Sequence, residues 1–160
     1  VAKVCTFPTR HHFELTELPK DPAVSVYLGS DPDKYGAQAL VSVMDLLPEV
    51  KFQTYFFGSF DSSEMEKLCR DTSVYLRLTA HDGSAQSARE FMEAGRRAVI
   101  TTQLPYAITV HPTDLVSIVK ELKKALANTE LDLEASVFYR SFNSTERFLA
   151  DLHKAGVLDG

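Results

Sequence analysis

The sequence lacks most of the signals that would assign a function at a glance. It has two cysteines, Cys5 and Cys69, far apart and in no CxxC pair. The simplest reading is two reduced thiols of a cytosolic protein, although spacing alone leaves a disulfide between them open. No apolar run approaches the roughly 18 residues needed to cross a bilayer. No secretory signal is visible at the start of the chain, and the sequence is equally compatible with an excised piece of a longer protein. Basic residues are not in excess. Lys and Arg total 17 against 22 Asp and Glu, a net charge of −5, so no electrostatic footprint for nucleic acid exists. There is no Walker motif, no GxGxxG, no GxSxG elbow, no HExxH and no Asp-rich metal motif. The histidines His11, His12, His81, His111 and His153 have no metal-ligand spacing, and the adjacent pair His11–His12 would face opposite sides of a strand. Repeats and low-complexity stretches are absent too.

What remains is an ordinary globular composition. At 160 residues, 44% hydrophobic and 24% charged, the chain is long enough for one domain with a real core and too short for two. β-Branched and aromatic runs alternate with helical periodicity. Strands are expected at Val24 to Leu28, Lys51 to Phe57, Ser73 to Leu78, Ala98 to Thr101 and Ala107 to Val110. Between them, Ala37, Leu40, Val41, Met44 and Leu47 repeat at helical spacing up to Pro48. Met65, Leu68 and Cys69 mark a second helix, with Ser62 or Ser63 as its cap. Thr113 is placed to cap a helix burying Leu115, Ile118, Val119, Leu122 and Leu126. Glu130 to Phe142 keeps the period through Leu133, Val137 and Phe138. A last helix follows Asn143 or Ser144, carries Phe148, Leu149 and Leu152, and stops at Gly156. Residues 1–23 show no clean pattern beyond a possible short strand at Ala2 to Phe7, and read as a linker. Residues 24–160 read as a single domain. The alternation predicts an α/β fold, Rossmann-like and doubly wound, with a mostly parallel sheet and helices on both faces.

Such sheets bind ligands beyond the carboxyl ends of their strands, near the reversal of strand order. Three loops follow strands there: Gly29 to Gly36, Gly58 to Asp61 and Ala80 to Ser87. The last is the richest. His81-Asp82-Gly83-Ser84-Ala85 is a turn of small residues between a strand and a short helix expected over Ser87 to Ala94, or from about Ser84 if the turn itself joins it. The amides of a first helical turn point outward and the helix dipole favours an anion there. Asp82 opens the turn, and Glu90 follows with seven residues between, about two turns into the helix.

HDGSAQSAREFMEAGRRAVIT resembles the E-x7-E signature of GT-B glycosyltransferases. VSVYLGSDPDKYGAQALVSVMDLLPEVKFQTYFFG is similar to the opening of the family's C-terminal, nucleotide-sugar-binding domain, and HPTDLVSIVKELKKAL to the helix after its last strand. The likeness covers roughly residues 24 to 126. It implies a donor site for a nucleoside diphosphate sugar, with no further cofactor and no metal, and glycosyl transfer of the retaining type. Glu90 would hold the ribose, Asp82 would orient the sugar, and the Gly83, Ser84 and Ala85 amides with Lys34 would hold the diphosphate. Thr102, beside Thr101 and Gln103 at the end of a strand, could touch phosphate or sugar. The family's acceptor-binding N-terminal domain is absent from this stretch, so the isolated chain is expected to transfer little.

Three departures point the other way. Asp82 stands where the family has Glu. Ser30 stands near where it carries an Arg. Only Gln103-Leu104-Pro105-Tyr106 fills a connection that usually holds a Gly-rich loop. They favour the competing reading, an α/β interaction module that has lost catalysis. A flavodoxin-like domain is a weaker third, since no convincing phosphate loop follows the first strand. Each site residue also has a plain structural reading: Glu90 a solvated helix charge, Asp82 an Asx turn or cap, the glycine turn merely tight, Lys34 an exposed loop cation.

Overall fold

The computed structural model describes residues 12–56, 58–79 and 85–155. Among the described residues, five strands and six helices alternate over most of the length. They are β1 (Ala23–Tyr27), α1 (Ala37–Leu46), β2 (Lys51–Tyr55), α2 (Ser62–Arg70), β3 (Val74–Arg77), α3 (Gln86–Glu93), β4 (Arg97–Ile100), β5 (Ile108–Thr109), α4 (Leu115–Leu126), α5 (Leu133–Phe142) and α6 (Thr145–Ala155). All strand pairings are parallel, in the order β2-β1-β3-β4-β5. The chain moves from β1 outward to β2, then crosses back over β1 to β3 and continues the other way. Strand order therefore reverses between β1 and β3, and the fold is the doubly wound α/β arrangement expected from the alternation.

The inner strands β1, β3 and β4 are mostly apolar and buried because helices cover both of their faces, while the edge strand β2 carries Lys51, Gln53 and Thr54. Val24, Val26, Val74, Leu76 and Val99 pack under Leu40 and Val43 of α1 and Ile118 and Leu122 of α4. On the other face Tyr55, Tyr75, Ala98 and Ile100 meet Met65 and Leu68 of α2, Phe91 and Met92 of α3, and Ala135 and Tyr139 of α5. Tyr75 and Phe91 stack with centroids 4.7 Å apart, a contact worth about 1 kcal/mol beyond the area it buries. Residues 12–22 form no regular element, yet they are packed down: Phe13 is buried against Phe91, edge to face at 6.4 Å.

Several local expectations are corrected. Asp61, not Ser62 or Ser63, caps α2. Its Oδ1 accepts the amides of Ser63 and Glu64, while Glu64 Oε2 accepts the Asp61 amide, a reciprocal capping box. Asp114 replaces Thr113 as the cap of α4, because the Thr113 hydroxyl is engaged with His111 Nδ1 at 2.9 Å. On α1 the buried stripe is Leu40 and Val43, continued by Leu47, and Val41 and Met44 face outward. On α5 the buried residues are Ala135, Ser136 and Tyr139, whereas Leu133 and Val137 are exposed. The small Ala135 and Ser136 let α5 lie close on α3, and the Ser136 hydroxyl donates to the Glu93 carbonyl. The helix begins at Leu133 because Asp132 caps it by accepting the Ala135 amide. The expected strand at Ala2 to Phe7 lies outside the described residues, as does the stop at Gly156.

Candidate functional site

All five strands point the same way, so the loops after β1, β2 and β3 leave one edge of the sheet. Those after β1 and β3 flank the reversal of strand order. The loop after β1 is shaped by two glycines in the left-handed region, Gly29 (φ 59°) and Gly36 (φ 78°). A Cβ at Gly29 would sit 2.1 Å from the Tyr35 ring, and one at Gly36 would sit 2.5 Å from the Leu78 carbonyl oxygen. Only glycine at both places lets the loop fold its tyrosine back on its own start and close against the end of β3.

A buried arginine joins the two loops. Arg77 ends β3 and faces α3, on the same side of the sheet as Tyr75 two residues earlier. Its guanidinium lies over the Tyr27 ring at 4.7 Å and the Tyr35 ring at 5.0 Å, and Nη1 donates to Ser87 Oγ at 3.1 Å. Ser87 Oγ also hydrogen-bonds the Tyr75 hydroxyl at 2.6 Å. Further rings extend the cluster: Tyr27 touches Tyr55 at 5.1 Å, and Phe60 stacks on Tyr55 at 6.0 Å. Burial pushes the phenols of Tyr55 and Tyr75 above their ordinary value, Tyr55 well above it. Nothing in the motif pointed to Arg77, Tyr27, Tyr35 or Ser87. The available signal was a single charge inside the otherwise apolar run SVYLRL, at an inward-facing position.

The residues named from sequence divide into three groups. Asp82, Gly83 and Ser84 lie outside the described residues. Lys34 is exposed on the β1–α1 loop, its amide 3.4 Å from Asp31 Oδ1, and Thr102 is partly exposed after β4. Thr101 beside it donates its hydroxyl to the Thr79 carbonyl and so is occupied by backbone. Ala85 and Glu90 belong to α3. The helix starts at Gln86, one residue before the expected Ser87, from an Ala85 that is buried and left-handed (φ 43°, ψ 43°) and that brings no side-chain cap to the first turn. Glu90 is not a solvated charge. It is 4% exposed, and its carboxylate lies close enough to Tyr55 and Cys69 to raise the pKa of both, as a smaller contribution beside burial.

The other end of α3 holds a second buried polar cluster. Glu93 accepts from Asn143 Nδ2 at 2.7 Å and pairs with His12 Nδ1 at 3.0 Å. Arg89 reaches Asn143 Oδ1 at 3.5 Å. Arg96, fully enclosed, donates to the carbonyls of Cys69, Ala94, Thr16 and Glu17 and to the Thr16 hydroxyl. It fixes the leading segment to α2 and to the turn after α3. The thiol of Cys69 is 2% exposed and is pushed up to about 12, chiefly by burial. No group of three or more His, Cys, Asp or Glu residues able to hold a metal ion exists among the described residues. Among them, too, no helix is long and apolar enough to cross a membrane.

Solved structures with a similar chain path include glycosyltransferases. Sucrose-phosphate synthase from Thermosynechococcus elongatus superposes with a TM-score of 0.69 at 15% identity, over 98% of this chain and 51% of its own. The lipopolysaccharide outer core galactosyltransferase WaaB, in its apo form, gives 0.67 at 12% identity, over 93% and 53%. WaaG, a glycosyltransferase involved in lipopolysaccharide biosynthesis, gives 0.58 at 13% identity, over 89% and 49%. The fold is that of a GT-B glycosyltransferase domain. The chain spans about half the length of these proteins. No family model matches the sequence, and no curated protein matches it by sequence.

Proposed function

We propose that this chain is the nucleotide-sugar donor half of a glycosyltransferase. In this reading the diphosphate lies between Lys34 and the first turn of α3, where the Gly83, Ser84 and Ala85 amides meet it. Glu90 takes the ribose hydroxyls and Asp82 orients the sugar. Transfer is metal-independent and retaining. It proceeds by stabilising the departing diphosphate with fixed dipoles and a cation, and needs no nucleophile from this half. A second domain supplies the acceptor and the opposite wall of the cleft. One observation carries the reading. The Lys34 loop and the start of α3 stand on either side of the strand-order reversal, the position at which doubly wound sheets take phosphorylated ligands.

The test is calorimetric titration of UDP, GDP and ADP against the wild type and Glu90→Gln, which keeps the side chain's size. At least one nucleotide binds saturably, and the substitution weakens it by about 1.5–3 kcal/mol, the range for a hydrogen bond to a charged group. A folded wild type that binds none of the three overturns the donor reading.

One feature favours the second reading, an interaction module. Tyr106, Leu133, Glu134, Val137 and Phe138 line an open, mostly apolar groove of about 520 Å³ beside α5. Tyr106, Leu133 and Val137 are each roughly half exposed or more. Failure of every nucleotide to bind, with the domain folded, turns attention to that surface.

A further inference from the structure

We propose that Arg77 is a positioning residue, which holds the Lys34 loop in register with the first turn of α3. The inference rests on the donor reading for its effect on binding, but the tether itself stands on geometry alone. The Tyr35 ring is gripped on two sides. Beneath it lies the backbone of Gly29, where even a Cβ would fall 2.1 Å from the ring, and the Arg77 guanidinium lies 5.0 Å from its centroid. The same guanidinium covers Tyr27 at the end of β1 and donates to Ser87 in the first turn of α3. One side chain thus touches β1, the loop after it and the helix after β3, across the line where strand order reverses.

The location matters because Tyr35 directly follows Lys34. Lys34 is exposed, and no side-chain bond among the described residues fixes its ammonium group. The backbone therefore sets where its flexible side chain is rooted, and that backbone is held through its neighbour's ring. A planar guanidinium suits this role. The Tyr27 and Tyr35 rings stand 81° apart, so the group can lie flat on one ring face, turn an N–H edge to the other and still donate in its own plane, which an ammonium cannot do.

The experiment compares Arg77→Met, Arg77→Lys and Tyr35→Leu with the wild type in two measurements. The first is hydrogen exchange at the loop amides of Tyr35, Gly36 and Ala37, which bond back to the carbonyls of Asp31 or Pro32, Asp33 and Pro32. The second is UDP titration, run also with Lys34→Ala and with the Arg77→Met/Lys34→Ala pair. Exchange at these three amides rises about tenfold in all three single variants, while core amides of β3 and β4 keep their protection. UDP affinity falls about tenfold in each. The double variant binds no more weakly than Lys34→Ala alone, because Arg77 acts through Lys34.

Unchanged loop exchange in Arg77→Met and Tyr35→Leu overturns the tether. So does full recovery by Arg77→Lys, which would mean that charge and not stacking matters. Additive losses in the double variant overturn the route through Lys34. If Arg77→Met does not fold, Tyr35→Leu decides, since it cuts the same contact from the partly exposed side. If the wild type binds no UDP, the donor reading fails while the exchange result still decides the tether.

Discussion

The two ends of α3 each enclose an arginine, and they treat it differently. At the rear, Arg96 is saturated by four backbone carbonyls and a hydroxyl drawn from α2, the leading segment and the turn after α3. At the crevice, Arg77 lies between two aromatic rings and a serine hydroxyl. Carbonyl acceptors are directional and leave heavy penalties when vacated. Ring faces are broad and forgiving, and cost less to leave. The rear of the helix is therefore held as an anchor by directional acceptors, and ring faces give the front the looser grip of a joint.

The contrast can be broken most directly at Arg96. Arg96→Met strips donors from several buried carbonyls and is expected to cost about 3 kcal/mol or more in urea unfolding. It also opens residues 12–22 to limited proteolysis. Asn143→Ala is next. It removes a donor from the buried Glu93 carboxylate and should cost about 2 kcal/mol by the same assay. Arg77→Met should cost less than Arg96→Met in the same assay. Equal losses for Arg96→Met and Arg77→Met would erase the distinction between anchor and joint.

The smallest effect concerns Asp61, at the crevice end of α2. Backbone donation from Glu64, followed by Ser63, holds its carboxyl below the ordinary value of 3.8. Its folded pKa is depressed, so its contribution is complete above the unfolded value and fades as pH falls through the folded one. Acid titration followed by NMR should loosen the first turn of α2 before the Arg96 end moves, and Asp61→Asn should remove that pH dependence.

Much of this was legible beforehand because it depends on local pattern. Apolar runs bounded by Gly and Pro located every strand to within a residue or two. The small-residue turn ahead of SAREFMEAG located α3 and its internal carboxylate. The cap of α2 was misassigned to Ser62 or Ser63, although Asp61-Ser62-Ser63-Glu64 is a capping-box pattern. The buried face of α5 was not legible. Leu133 and Val137 fit a helical period, but Ala135 and Ser136 win the inner side because α3 needs small neighbours there. Arg77 was hidden for a different reason. Its partners Tyr27, Tyr35 and Ser87 lie on three separate elements, and the fold-back of Tyr35 onto Gly29 is invisible to any periodicity.

Cys69 gives the protein an internal clock. Its carbonyl is one of the acceptors that Arg96 holds, and its closed-off thiol is almost never ionised near neutral pH. Alkylation at that residue, read peptide by peptide in a mass spectrometer, is slow until the seam between α2 and the turn after α3 parts. Its rate under native conditions then times how often the back of the molecule breathes, whatever occupies the front.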